Sequence, residues 1–309
     1  MPDRSTLAFR DDLVVLFPGQ GSLTSGAGLT WRASLHWPLV TRISDVAGID
    51  VESLLIHATD DEVVRTDRAQ IATFALSMVA YEELLDRGLR PRYLLGHSLG
   101  EFSALVACGL LGMDDGARLI AVRGAAMARA AQQRAGSMVA LMGGDEGARR
   151  ALDKLDDVWV ANINGTGQIV VSGTTRGLDD LLARHRDLGW RRATPLAVGG
   201  AFHSPLMSPA QDELDAALAA TSWADTQATV IANVDGRVHT TAADWRELLS
   251  RQLTSPVEFL DATLALPESV TTSIEMAPGA ILTGLTKRIR PFERQFAPAS
   301  LTELQELTL

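Results

Sequence analysis

The stretch Tyr93-Leu94-Leu95-Gly96-His97-Ser98-Leu99-Gly100-Glu101-Phe102-Ser103 constrains the fold more than any other part of the chain. A short apolar run ends in Gly-His-Ser-Leu-Gly. An apolar-periodic segment follows through Phe102, Leu105, Val106 and Leu110. That order predicts strand, sharp turn and helix, with Ser98 at the turn, the pattern of a Gly-x-Ser-x-Gly nucleophile elbow. Gly96 and Gly100 leave room for a strained backbone at Ser98, so its hydroxyl stands clear of the sheet. A helix beginning near Leu99 aims its free N–H groups and positive dipole end at the turn, where an oxyanion would be stabilised. Glu101, three residues after Ser98, sits where a capping-box carboxylate would sit.

The rest of the chain must supply a sheet for that strand and a base for that serine. Its 309 residues are 46% hydrophobic and 21% charged, enough for one large core or a core plus a smaller domain. A formal net charge of -10 argues against a general nucleic-acid binder. The one cysteine, Cys108, cannot form an internal disulfide and reads as core packing on a helix. Met1–Asp12 mixes charged and polar residues, and no apolar run reaches transmembrane length. These features predict a soluble cytoplasmic protein that does not engage a membrane.

Leu13–Phe17 is fully apolar, as suits a strand buried on both faces of a parallel sheet. The loop Pro18-Gly19-Gln20-Gly21-Ser22 fails as a dinucleotide fingerprint, because position 24 is Thr24. It reads instead as a loop that brings backbone N–H groups and Gln20 close to a bound group. Asp60–Arg90 reads as helix ended by Pro91, and Asp114–Ala131 as a helix carrying Arg123, whose default reading is a solvated side chain. Between about 137 and 198 the order is β-α-β-β-α-β, with the turn Asn164-Gly165-Thr166-Gly167 between two strands. The predicted fold class is α/β. A ferredoxin-like small domain, residues 133–197, is inserted in a large domain of residues 1–132 and 198–309. Val230–Asn233 and Thr272–Glu275 read as further strands, and Trp245–Leu253 as a helix.

A serine nucleophile needs a base. His97 adjoins Ser98 but would point along the neighbouring backbone. His36, His57, His185 and His239 read as surface or core fillers. His203 sits in the glycine-rich run Val198-Gly199-Gly200-Ala201-Phe202-His203-Ser204-Pro205, just before a helix, where a side chain faces a cleft.

At this point a set of motifs resembles, in order and spacing, those of malonyl-CoA:acyl carrier protein transacylases. They are Phe17-Pro18-Gly19-Gln20-Gly21-Ser22, Gly96-His97-Ser98-Leu99-Gly100-Glu101, Arg123-Gly124 and Gly200-Ala201-Phe202-His203-Ser204-Pro205-Leu206-Met207. Asn162-Ile163-Asn164 with Gln168, Arg251-Gln252-Leu253, Pro278-Gly279 and Leu282–Ile289 extend the likeness from about Leu13 to Arg290. The resemblance implies an α/β-hydrolase-like large domain with a ferredoxin-like insert. It implies malonyl transfer from malonyl-CoA to the phosphopantetheine arm of an acyl carrier protein in fatty acid or polyketide synthesis, without cofactor or metal. Ser98 would be the nucleophile and His203 the general base. Arg123 would pair with the malonyl carboxylate, and the N–H groups of Gln20 and Leu99 would form the oxyanion hole. The Gln252 carbonyl would orient His203. Phe202 beside the base goes, in that family, with malonyl over methylmalonyl.

Other readings of the same elbow are a serine thioesterase or acyl hydrolase, and transfer of a different acyl unit, including from one carrier protein to another. An α/β-hydrolase needs an acid between Ser and His in sequence, and candidates such as Asp157 or Asp179 fall inside the predicted insert. In an editing hydrolase of the same family Arg123 should be missing. A non-catalytic carrier-binding module would not need Ser98, His203 and Arg123 together. Two basic runs, Trp190-Arg191-Arg192 and Lys287-Arg288-Ile289-Arg290, are candidates for docking an acidic carrier.

Overall fold

The apolar run at the start of the chain lies at the centre of the larger sheet. In a computed structural model that describes residues 7–308, strand β1 spans Phe9–Phe17. Residues 1–6 and 309, counted above at the two ends of the large domain, lie outside the described residues. After β1 come helices α1 (Pro38–Ala47), α2 (Val51–Ile56), α3 (Asp60–Val63) and α4 (Thr66–Asp86). Strand β2 (Arg90–Gly96) leads into α5 (Leu99–Ala107), then α6 (Met113–Gln133). The second sheet and its helices follow as β3 (Gly136–Met142), α7 (Glu146–Leu152), β4 (Val158–Gly165), β5 (Gln168–Thr174), α8 (Thr175–Arg184) and β6 (Arg192–Pro195). The chain then makes α9 (Gln211–Ala219), β7 (Thr229–Val230), α10 (Ala242–Gln252) and α11 (Phe259–Leu264). It finishes with β8 (Thr272–Glu275), α12 (Ile281–Ile289), β9 (Arg294–Phe296) and α13 (Leu301–Gln305).

The first sheet has the order β7-β2-β1-β8-β9, and every pairing is parallel. Side chains alternate across β1. Leu13, Val15 and Phe17 join the core with α4 and α5, whereas Val14 and Leu16 join one with Phe259, Leu282 and Leu285. That double burial is why the run carries no polar residue. Register pairs Phe17 with Gly96 and Leu16 with Glu275. The loops after β1, β2 and β8 therefore leave from one edge, at the carboxyl ends where open α/β sheets bind ligands.

The second sheet is antiparallel, in the order β4-β5-β3-β6. Its strands and helices follow the β-α-β-β-α-β order expected, with Thr166 and Gly167 as the turn between β4 and β5. On β3, Val139 and Leu141 face a core with Leu152 of α7 and Leu181 of α8. Met138 faces the other way, into the core of the first sheet. The edge of β4 hydrogen-bonds the main chain at Val257 through Ile163 N–H (2.9 Å) and Ala161 O (2.9 Å). The result is a mixed α/β fold with a parallel sheet and a separate antiparallel one.

Several local expectations need correction. The predicted helix over 60–90 is two helices, because Thr59 and Glu62 form a capping box on α3 and the chain breaks at Val64 and Arg65. Pro91 lies inside β2, opposite Arg10, and does not end α4. The strand expected over 230–233 pairs with β2 only at Thr229 and Val230, while Ile231 makes an isolated bridge to Val238. Among the described residues, no helix is long and apolar enough to cross a membrane.

Candidate active site

Ser98 occupies the turn between β2 and α5 with φ of 53° and ψ of -109°. A positive φ is unfavourable for a residue with a Cβ, so the surroundings must hold it. Two glycines allow the approach. A Cβ on Gly96 would meet the Gly100 carbonyl carbon at 2.0 Å, and a Cβ on Gly100 would meet the Phe17 oxygen at 2.0 Å. Both obstacles are backbone. Gly100→Ala is therefore expected to cost about 3 kcal/mol or more, at or beyond the usual range for overpacking. Urea unfolding at the wild-type midpoint would show that the elbow can relax. Asn233 pins the turn: its Oδ1 accepts from the Ser98 N–H at 2.7 Å, and its Nδ2 donates to the Gly96 oxygen at 2.7 Å.

His203 meets Ser98 from a segment 105 residues further on, with Nε2 2.8 Å from Oγ. Its own φ is 57°. Nδ1 lies 2.8 Å from the main-chain oxygen of Gln252, which can only accept. Nδ1 therefore carries the proton, and Nε2 is left to accept from the Ser98 hydroxyl. Asp157 does not take that place; it pairs with Arg176 of α8 at 3.7 Å. Burial first, and the Arg123 charge second, push the imidazole down to about 3. A His203 ring proton followed by NMR should thus show no imidazolium-sized shift between about pH 5 and 8, where a free histidine titrates. An inflection near 6.5 would overturn the neutral-base assignment.

Arg123 is not solvated. It is 1% exposed, on the inner face of α6. Nη1 donates to Gln70 Oε1 at 2.6 Å, and Nη2 donates to Gln252 Oε1 at 2.9 Å and to Ser98 Oγ at 3.1 Å. Nε is buried without a partner among the described residues. Burial lowers its pKa to about 10, so it stays cationic at neutral pH. Glu101 is not a capping-box residue either. Its Oε1 accepts from the Asn233 N–H at 2.6 Å, its Oε2 accepts from Gln252 Nε2, and burial pushes its pKa up to about 7.

A cleft of about 140 Å³ opens over Ser98 and His203. Gln20, Met127, Met138, Asn162, Leu196 and Phe202 line it. Gln20 begins the short 3-10 turn after β1, and Leu99 is the first residue of α5. His97 turns away from the serine, with Nε2 2.9 Å from Asn164 Oδ1 and its ring against Phe259. Cys108 is a packing residue at the end of α5, its thiol pushed up to about 11 by burial. Among the described residues, no group of His, Cys, Asp or Glu is placed to hold a metal ion.

The residues proposed from the sequence thus converge: Ser98, His203, Arg123 and Gln252 are hydrogen-bonded to one another, and Gln20 and Phe202 line the cleft over Ser98 and His203. Gln70 and Asn233 were not proposed as site residues. The signal for Asn233 is a polar residue closing the apolar run Val230-Ile231-Ala232, and a reader could have used it. Of the basic runs, Arg191, Arg192, Lys287 and Arg288 are exposed. Arg290 instead ties down main-chain oxygens of Leu266, Pro267 (2.6 Å) and Val270 (3.2 Å).

Known proteins resemble the chain over most of its length. The acyl transferase domain family matches residues 14–300. The malonyl CoA-acyl carrier protein transacylase of Bacillus subtilis is 38% identical, over 90% of this chain and 90% of its own. The crystal structure of malonyl-CoA:acyl carrier protein transacylase from Xanthomonas oryzae is similar with a TM-score of 0.89 at 34% identity, covering 96% of this chain and 98% of that one. A type II PKS acyl-carrier protein in complex with its malonyl-transacylase also matches, with a TM-score of 0.89 at 31% identity over 95% and 98% of the two chains. The chain belongs to the acyl transferase family, among its malonyl-CoA:acyl carrier protein transacylases.

Proposed function

We propose that the chain moves a malonyl group from malonyl-CoA to the phosphopantetheine thiol of an acyl carrier protein through a Ser98 acyl-enzyme. The observation that carries the reading is one hydroxyl with two partners: Ser98 Oγ lies 2.8 Å from a neutral imidazole and 3.1 Å from a buried guanidinium. Oγ attacks the thioester carbonyl while His203 Nε2 takes its proton. The N–H groups of Gln20 and Leu99 hold the oxyanion. Collapse expels the CoA thiolate, which takes the proton from His203. The carrier thiol then gives its proton to His203 and attacks the serine ester, and Ser98 regains its proton as it leaves. The Gln252 carbonyl keeps Nδ1 protonated throughout. Arg123 pairs with the malonyl carboxylate, whose burial in a partly closed cleft would otherwise cost several kcal/mol.

In this reading residues 133–197 act as a ferredoxin-like small domain that roofs the cleft, with the rest of the chain as the large domain. Exposed Arg191, Arg192, Lys287 and Arg288 are the cationic candidates for meeting the carrier. Phe202 fills the space an α-methyl group would need, and one rejected methyl is worth about 1–3 kcal/mol. Intact-mass spectrometry with equal malonyl-CoA and methylmalonyl-CoA tests both statements. A malonyl adduct in excess by about tenfold or more is expected. No adduct would overturn the acyl-enzyme; equal adducts would overturn the role of Phe202 alone.

A further inference from the structure

We propose that Glu101 is a positioning residue for Arg123. Its carboxylate, buried behind the elbow, fixes the direction of the Gln252 side-chain amide, whose oxygen in turn holds the guanidinium. The inference rests on the reading of Arg123 as the partner of a substrate carboxylate, and it concerns how that arginine is kept ready.

Glu101 is 0% exposed, on the first turn of α5. One oxygen is engaged by the Asn233 N–H and the other by Gln252 Nε2. Gln252 Nε2 also donates to the Ser98 oxygen at 3.0 Å. An amide has a donating side and an accepting side. All the groups on the nitrogen side, the Glu101 carboxylate, the Ser98 carbonyl and, at 3.5 Å, Asn233 Oδ1, accept. The group on the oxygen side, Arg123 Nη2, only donates. Reversing the amide would set N–H against guanidinium and carbonyl against carboxylate. In its ionised form Glu101 makes that reversal unfavourable, and with burial raising its pKa to about 7 that form prevails above neutral pH.

The arrangement also answers a problem of charge. Arg123 makes no direct ion pair among the described residues. A carboxylate bound straight to the guanidinium would stabilise the buried cation, but it would also occupy the hydrogen-bonding edge a substrate carboxylate needs. Glu101 stands one amide away. It offers negative charge to the arginine, and the polarised Gln252 relays it, while the guanidinium is left open to substrate. The main-chain oxygen of Gln252 orients His203 at the same time. One residue therefore couples the arginine to the base, and Glu101 sets its side chain.

The test is Glu101→Gln, which keeps the shape and removes the charge. Loading of malonyl-CoA and of acetyl-CoA, which lacks the carboxylate, is followed separately by intact mass, with KM and kcat for each. The malonyl-to-acetyl ratio should fall about tenfold or more, the scale of one hydrogen bond to a charged group, mainly through a higher KM for malonyl-CoA. An unchanged ratio, or equal losses with both substrates, overturns the proposal, since a merely structural Glu101 would not distinguish them. If Glu101→Gln fails to fold, Gln252→Met removes the amide and keeps the main-chain carbonyl, and the same fall in ratio is required of it. The wild-type ratio separates the two levels of the argument. A wild type that does not prefer malonyl-CoA sinks the reading of Arg123 itself and the proposal with it; a discriminating wild type with discriminating variants sinks the role of Glu101 alone.

Discussion

Ser98→Ala protein incubated with malonyl-CoA is expected to gain no mass, while its thermal unfolding should stay close to wild type. The substitution removes one hydroxyl from a half-buried site and leaves the Asn233 bonds to the elbow untouched, because those use the Ser98 N–H and the Gly96 oxygen. Arg123 Nη2 loses one of two acceptors and keeps Gln252. His203→Ala, by contrast, leaves the nucleophile in place without its base. An unassisted serine is a weak nucleophile at neutral pH, so loading should slow by about two to four orders of magnitude. The pair of variants separates covalent role from proton transfer. A malonyl adduct on the alanine variant would place the nucleophile elsewhere, and wild-type loading without His203 would remove the base from the mechanism.

Arg123→Met is expected to change which acyl group is taken as well as how fast. Methionine is unbranched and apolar, so it can fill much of the channel that the arginine stem occupies between Gln70 and Gln252. The substrate carboxylate then enters without a cation. Removing one partner of a buried pair costs about 3–5 kcal/mol. At about 1.4 kcal/mol per tenfold, malonyl loading should fall by roughly two to four orders of magnitude. Acetyl loading carries no such charge and should fall far less. Stability also drops, because Gln70 Oε1 and Gln252 Oε1 lose a charged donor, each at about 1–3 kcal/mol. A thermal melt run beside the loading assay keeps the two effects apart. Equal losses for both acyl groups would mean that Arg123 supports the site only as a structural cation.

How far the sequence could be read follows from where each residue finds its partners. The elbow was legible because its strand, glycines and helix are neighbours in sequence, and so was β1, whose double burial is written in five consecutive apolar residues. The β-α-β-β-α-β order of the second sheet was legible for the same local reason. From local pattern alone Arg123 read by default as solvated, because its acceptor Gln70 lies on another helix, 53 residues away; only the family likeness set it in the site. Glu101 was misread as a cap because a local partner three residues back seemed sufficient. Its actual partners stand 132 and 151 residues further along. Arg290 was grouped with its basic neighbours, yet its guanidinium is spent on the backbone of the loop before β8. The elbow and the glycine-rich run pointed to Ser98 and His203, and the family likeness added Arg123 and Gln252, but neither carried an account of Asn233, whose hydrogen bonds hold a backbone turn.

The positive φ at both Ser98 and His203 has an evolutionary consequence. Each conformation costs on the order of 1–3 kcal/mol for a residue with a side chain, and glycine would adopt either almost freely. The change that would relieve the backbone at position 98 or 203 is thus the one that removes its chemistry. Stability and activity are opposed at these two positions. Selection that keeps turnover must find its stability at positions remote from the elbow, where local backbone preference and function do not conflict.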